Sequence, residues 1–294
     1  IRALEHDERG IYTGAIGWFD PPNASHPIGN FCLSVPIRTL MLQAPNDNGV
    51  RIGKMGVGSG IVFDSNPKEE YAECLLKARF LTGLSNDFCL FETMYATRSG
   101  GCRHLDLHLN RLRSSADYFN FTFDENHIRQ TLQTTCGKLQ MEEGHRVRLS
   151  LSQSGQCSIQ TAPIHTMTTP VRVLCGTETT QASDLFLRHK TTIRNRYDQA
   201  WRTAEEQGAF DMLFFNTNGE LTEGARSNVF IKLQGRWYTP PLSCGVLPGV
   251  MRTVLLADTT LQASERPLSL DHLRAAEEIM LCNALRGALP AVLD

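Results

Sequence analysis

The sequence predicts an α+β chain in two parts: a strand-rich segment over residues 1–85 and a larger α/β segment over 86–294, itself divided into subdomains of about 86–175 and 182–294. Three observations carry this reading. At 294 residues the chain is long enough for two cores. The polar stretch Leu84-Ser85-Asn86-Asp87 interrupts the apolar periodicity, as a hinge would. Beyond it the patterns run strand, helix, helix, strand, strand before a second series starts at Val171, the order of a small α+β subdomain followed by a larger one.

Bulk properties exclude several classes. A formal net charge of −2 leaves no basic footprint for nucleic acid or a membrane surface. No apolar run approaches the roughly 18 residues of a membrane span, and no charged segment followed by an apolar one marks export. The nine cysteines are scattered without a C-x-x-C pair, which points to reduced thiols in the cytoplasm rather than a disulfide frame or a zinc site. The opening Ile1-Arg2-Ala3-Leu4-Glu5 has the character of the interior of a longer protein, of which this chain would be the C-terminal part.

In the first segment strands are expected over 11–19, 31–42 and 50–63, the last after the hairpin signal Asp47-Asn48-Gly49. Three prolines make the loop over 21–27 a surface excursion. A helix follows over 67–81, capped by Asp64, Ser65 or Asn66, with Pro67 in its first turn. On it Glu70, Glu73 and Lys77 share one face, which by itself describes a solvated, salt-bridged surface.

In the second segment a strand over 88–97 leads through a turn at 99–101 into a helix whose apolar positions are Leu105, Leu109, Leu112, Ala116 and Phe119. Arg111 falls on the polar side of that helix, where it could grip an anion. A second helix over 125–141 and strands over 145–152 and 157–163 complete the first subdomain. A strand over 171–175 starts the second, and the polar run 176–181 is expected to be the loop between them, covering a ligand in the cleft. Then come a helix over 197–206, a strand over 211–215, the turn Asn218-Gly219, paired strands over 227–232 and 236–239, a helix over 248–257 and a strand over 279–282. The segment Asn283-Ala284-Leu285-Arg286-Gly287 offers a further loop of backbone donors.

The candidate chemistry centres on Lys190. Alone, a lysine in Leu187-Arg188-His189-Lys190-Thr191-Thr192 is a surface charge. Its distant neighbours change that reading. Glu223 stands just before a short strand that includes Asn228, a carboxylate suited to keeping a pyridine nitrogen protonated. In Leu247-Pro248-Gly249-Val250-Met251-Arg252 a glycine at a helix start lets backbone N–H groups approach a phosphate. Together with Arg111 these residues describe a site for pyridoxal 5′-phosphate (PLP), with Lys190 as its Schiff-base lysine and Leu247, Gly249, Val250, Met251 and Ala284 among its cofactor contacts. Arg194 and Tyr197 could belong to the pocket or to a solvated helix surface.

These pieces, in this order over residues 88–294, resemble the fold-type IV, or class IV, PLP enzymes: branched-chain and D-amino acid aminotransferases and aminodeoxychorismate lyase. The resemblance implies a homodimer with the cofactor near the interface. His189 to Arg194 and Leu281-Cys282-Asn283-Ala284-Leu285 are more similar to the lyase branch. In the first segment Arg9 to Trp18, Ile37-Arg38-Thr39, Gly58-Ser59-Gly60 and Glu70-Tyr71-Ala72-Glu73 resemble the chorismate-utilising enzymes, component I of aminodeoxychorismate synthase in particular. That implies a magnesium site at Glu70 and Glu73, and chorismate contacts from Tyr12, Arg38, Lys77 and the backbone at Gly58 and Gly60. The chain departs from the pattern at Ser59, where alanine is common, and at Cys74, where threonine is usual; the other acidic ligands of such a site would lie upstream of Ile1.

The expected function is therefore release of pyruvate from aminodeoxychorismate to give 4-aminobenzoate, within a bifunctional synthase and lyase that uses a glutamine amidotransferase subunit. The alternatives are an aminotransferase of branched-chain or D-amino acids and, from another class, a non-catalytic chorismate-domain remnant acting as a scaffold.

Overall fold

Alternating apolar residues build the sheets, and two separate series of them divide the chain into units of residues 1–86 and 87–294. The computed structural model describes residues 5, 8–25, 27–45, 51–82, 88–140 and 143–294. The expected hinge at 84–87, the hairpin signal at 47–49, the first four residues and Met141 lie outside the described residues. Among those described, no helix is long and apolar enough to cross a membrane.

The first unit contains two antiparallel pairs, β1 (Ile16–Phe19) with β2 (Phe31–Ser34) and β3 (Leu40–Leu42) with β4 (Gly53–Met55), followed by helix α1 (Pro67–Thr82). Its strands are shorter than the sequence predicts. Residues 10–14 turn instead of extending, with Gly14 N–H donating to Ile11 O at 3.0 Å. Pro36, which has no N–H, and Arg38, at φ 54°, break the run 31–42. Residues 56–60 form a loop rather than the end of a strand. Ile11, Ile16, Phe31 and Leu42 are exposed.

The second unit has two sheets. The smaller, in the order β6-β5-β7-β8, comprises β5 (Leu90–Thr97), β6 (Gly101–Cys102), β7 (His145–Leu151) and β8 (Cys157–Pro163), with α2 (Leu105–Phe119) and α3 (Glu125–Gly137) between β6 and β7. Period two decides its faces. Leu90, Met94 and Ala96 of β5 and Val147, Leu149 and Leu151 of β7 are buried in one cluster with Leu109, Leu112, Ile128 and Leu132 of the helices. Phe91, Thr93 and Tyr95 therefore face the other way, opposite Ser150, Arg148 and Arg146 in the register.

The larger sheet has eight strands in the order β11-β10-β9-β16-β15-β12-β13-β14. They are β9 (Val171–Thr180), β10 (Asp211–Asn216), β11 (Leu221–Gly224), β12 (Asn228–Leu233), β13 (Arg236–Thr239), β14 (Ser264–Glu265), β15 (Glu278–Asn283) and β16 (Gly287–Leu293). Helix α4 (Asn195–Glu206) crosses from β9 to the parallel β10, and α5 (Val250–Ala257) and α6 (Leu270–Arg274) follow β13 and β14. Two expectations change here. The polar run 176–181 is the second half of β9, where threonines suit an extended backbone and Phe215 pairs with Thr179 and Asn216 with Thr180. The connection between the subdomains is instead 164–170, so the division falls before β9 rather than after Cys175. Strand β16 was hidden by Pro290, a residue that argues against a strand, and the presumed donor loop at 283–287 is the tight turn joining β15 to β16.

Candidate active site

The segment carrying Lys190 is stitched to the start of β5 by backbone bonds. Phe91 N–H donates to Lys190 O at 3.0 Å, Thr192 N–H to Cys89 O at 2.9 Å, and Leu90 bridges Thr191. These bonds set the lysine at the junction of the two sheets, in a cavity of about 240 Å³ whose wall includes Phe91, Arg111, Lys190, Tyr197, Glu223 and Gly249. Its amine lies 4.8 Å from the centre of the Phe91 ring. Burial, reinforced by the charges of Arg111 and Arg194 against the weaker pull of Glu92 and Glu223, lowers its pKa to about 7. Lys190 is thus neutral in about half the molecules near pH 7, which a solvated lysine is not.

Glu223 stands just ahead of β12, as expected, near the end of the short strand β11, and is buried. Three donors converge on it: Tyr197 Oη at 3.1 Å, Asn228 Nδ2 at 3.0 Å and Leu247 N–H at 3.0 Å. Burial still dominates, pushing its pKa up to about 7 despite these bonds and the charges of Lys190 and Arg194. A carboxylate so held is short of one cationic partner.

Arg111 closes the opposite side. Its Nε and Nη2 grip both oxygens of Glu92 at 2.9 and 2.5 Å, and its Nη1 donates to Pro248 O at 3.1 Å. His108 Nδ1 adds a 2.6 Å bond to Glu92. Burial alone would raise the pKa of Glu92, but the Arg111 charge and the bonds from His108 and Arg111 hold it at about 2. Next to Arg111, Gly249 caps α5 without a side chain. A Cβ there would sit 1.8 Å from Asn228 Oδ1 and would push that side chain off its bonds to Glu223 and Leu247 O. The first amides of α5, on Val250 and Met251, lack an intrahelical acceptor by geometry.

The structure brings most of the expected residues together. Asn228 and Leu247 serve Glu223 directly, Val250 and Ala284 line the cavity, and Arg194 and Tyr197 belong to the pocket. Met251 differs: its side chain packs with Phe230, Leu255 and Cys282, leaving only its backbone amide available to a ligand. Sequence reasoning missed Glu92, His108, Trp201, Arg146 and Arg148. For the last two a signal existed, since alternation along β7 places both on the face opposite its apolar residues. Arg148 stacks on Phe91 at 4.0 Å, and among the described residues neither arginine has an ion-pair partner.

In the first unit, Tyr12 lies beneath the 56–60 loop, where a Cβ on Gly58 would fall 2.9 Å from its Oη. Lys77 donates to Gly58 O at 2.9 Å and pairs with Glu73 at 2.8 Å. Glu70 accepts from Ser65 Oγ at 2.6 Å through one oxygen, while its other oxygen meets no hydrogen-bond partner among the described residues; the hydroxyls of Ser59 and Ser65 hold its pKa below the usual carboxylate value. Gly60 faces open space and Arg38 is exposed. Among the described residues no group of three or more metal-ligating side chains forms.

A buried lysine of lowered pKa, a buried carboxylate of raised pKa, and an arginine beside a helix start match the aldehyde, the ring nitrogen and the phosphate of one molecule, and so define a PLP-dependent enzyme. Comparison with known proteins agrees. Residues 89–293 match the family model of amino-transferase class IV, and the chain belongs to that family, which sets aside a purely scaffolding role. Residues 1–83 match the family of chorismate binding enzymes. A protein of Schizosaccharomyces pombe named for aminodeoxychorismate lyase is 30% identical over 215 residues, covering 69% of this chain and 89% of its own length. The crystal structure of a Mesorhizobium loti protein named for an amino-acid aminotransferase superposes with a TM-score of 0.66 at 32% identity, covering 71% of this chain and all of that one. The first unit is 38% identical over 81 residues to anthranilate synthase component 1 of a Synechocystis species, covering 28% of this chain but only 15% of that relative.

Proposed function

We propose that the second unit is an aminodeoxychorismate lyase, releasing pyruvate and forming 4-aminobenzoate. The observation that carries this reading is the pair Arg146 and Arg148, two guanidiniums on the cavity wall that form no ion pair among the described residues, the nearby Asp198 being paired with Arg194. Aminodeoxychorismate presents two carboxylates besides the amine that reacts; a branched-chain amino acid presents one and an apolar side chain. An unpaired guanidinium facing a cavity is suited to a carboxylate, which it binds through two parallel hydrogen bonds. The S. pombe relative and the chorismate-binding match on the same chain support the choice.

In this reading Lys190 would carry the cofactor, Glu223 would keep its ring nitrogen protonated, and Arg111 with the amides of Val250 and Met251 and the turn at Ala284 would hold its phosphate. When bound, PLP withdraws the electrons released at the amine-bearing carbon. Lys190 Nζ, whose pKa burial lowers to about 7, would take the proton from that carbon in its neutral form. Loss of the neighbouring enolpyruvyl oxygen then lets the ring become aromatic, and a proton returned to the departing group completes pyruvate. Asn228 and Leu247 keep Glu223 in place. Arg146 and Arg148 would bind the two carboxylates of the substrate equally in the ground and transition states.

Two measurements test the reading. With aminodeoxychorismate and no keto acid, the enzyme should form 4-aminobenzoate and pyruvate in equal amounts over many turnovers, whereas an aminotransferase would stop after one half-reaction. Arg148→Gln and Arg146→Gln should each raise KM about 10- to 100-fold, the loss of a charge-assisted bond of roughly 1.5–3 kcal/mol, with kcat little changed. Unchanged KM in both variants would remove the carboxylate reading.

For the first unit the same proposal is a share in the amination of chorismate. Tyr12, Arg38, Gly58, Gly60 and Lys77 would serve the substrate, and Glu70 and Glu73 a magnesium ion. The Glu70 oxygen that meets no hydrogen-bond partner among the described residues suits a cation, and a bound cation would compete with Lys77 for Glu73. A glutamine amidotransferase subunit and a homodimer belong to this proposal.

A further inference from the structure

We propose that Glu92 is a positioning residue that gives the cavity its preference for a phosphorylated over an unphosphorylated pyridoxal, by clamping Arg111; this rests on reading Arg111 as the phosphate grip. Glu92 occupies a place that the pattern of β5 reserves for an apolar side chain. Leu90, Met94 and Ala96 share its face and form the core against α2, and Glu92 itself is 1% exposed. Burying a carboxylate there costs several kcal/mol unless donors surround it, and an apolar replacement of a buried ion pair is often as stable or more so. Core stability alone therefore does not account for a charge at this point, and breaches of the apolar pattern are expected where a site has been built.

The bonds show what is built. His108 is fully buried; its Nδ1 lies 2.6 Å from Glu92 and, facing a carboxylate, is the nitrogen that donates, while its Nε2 has no partner among the described residues. Glu92 thus accepts three N–H bonds, two of them from one edge of Arg111. The other end of the guanidinium is fixed by Pro248 O, one residue before the cap of α5. Every nitrogen of Arg111 is held once, and Nη1 and Nη2 each keep one further hydrogen for a ligand. A fork fixed in this way has already lost its rotamer freedom before the phosphate arrives, so the ordering cost is not paid on binding. An unclamped arginine would have to be ordered by the ligand itself.

The test is titration of cofactor-free protein with PLP and with pyridoxal, followed by absorbance, in the parent, Glu92→Gln, Arg111→Gln and the double variant. Glutamine cannot accept from all three donors, and its amide hydrogens oppose those of Arg111 and His108. Glu92→Gln should weaken PLP binding at least tenfold, about 1.4 kcal/mol, while pyridoxal binding stays within about twofold. Adding Glu92→Gln to Arg111→Gln should cost nothing further. Equal loss for both ligands, or additive losses in the double variant, would make Glu92 a structural residue and overturn the proposal. If Arg111→Gln itself leaves the preference unchanged, the phosphate reading of Arg111 falls and the proposal with it. Should Glu92→Gln not fold, Glu92→Asp decides by the same ratio: it keeps the charge but is too short to span Nε and Nη2, and an undiminished preference for PLP there overturns the clamp.

Discussion

Lys190→Ala should lose turnover by at least about 10³-fold, beyond detection in most assays, because it removes both the attachment point and the base of the reaction. The fold should survive. The backbone carbonyl of Lys190, which accepts from Phe91 N–H, is untouched by the substitution, and its side chain lies over the Phe91 ring at the cavity wall rather than in the apolar core. A thermal midpoint close to the parent's, with loss of the visible cofactor band, is the expected pair of results; retained turnover would overturn the assignment. The same lysine sets a pH dependence. Its pKa of about 7 means that the neutral amine grows roughly tenfold from pH 6 to 8 and then levels off, and so should the rate at which cofactor-free protein takes up PLP. A rate still climbing toward pH 10 would mean that the amine keeps its solution value.

Glu223→Gln should retain the cofactor yet slow proton abstraction about 10²- to 10³-fold, on the order of 3–4 kcal/mol, the scale seen when one preorganised electrostatic group is removed. The carboxylate is buried and held by Tyr197, Asn228 and Leu247, so it cannot swing away and water cannot replace it. Its raised pKa has the same origin: burial favours the neutral acid until a protonated ring nitrogen supplies the missing positive charge. Glutamine preserves the shape but offers no charge to that nitrogen. Rates within about twofold of the parent would show that another group protonates the ring.

Much of this was legible along the chain, and for local reasons. Strand β8 and the 236–239 strand are found where the alternation put them, and α1 ends within a residue of its expected limit, because turns, caps and periodicity act over a few residues. Lys190, Glu223 and Gly249 could be singled out because each stands beside a recognisable turn or element end, and Arg111 because it lies on the polar side of an amphipathic helix. Strand β16 and helix α6 could not. The first contains a proline and is held by neighbours on both sides, and the second has five residues and depends on the Ser269 and His272 capping box.

What the sequence determined by itself is the order of the elements and the residue types able to bind a phosphorylated pyridine. Only the tertiary structure decided that Glu92, a polar residue in an apolar series, faces α2 and holds Arg111, and that Arg146 and Arg148 share a cavity wall with Lys190. Those relations join residues 19 to 44 positions apart in the sequence, and no local propensity encodes them. They arise when β7 pairs with β5, when α2 packs on the opposite face of that sheet, and when the backbone of Lys190 hydrogen-bonds to Phe91.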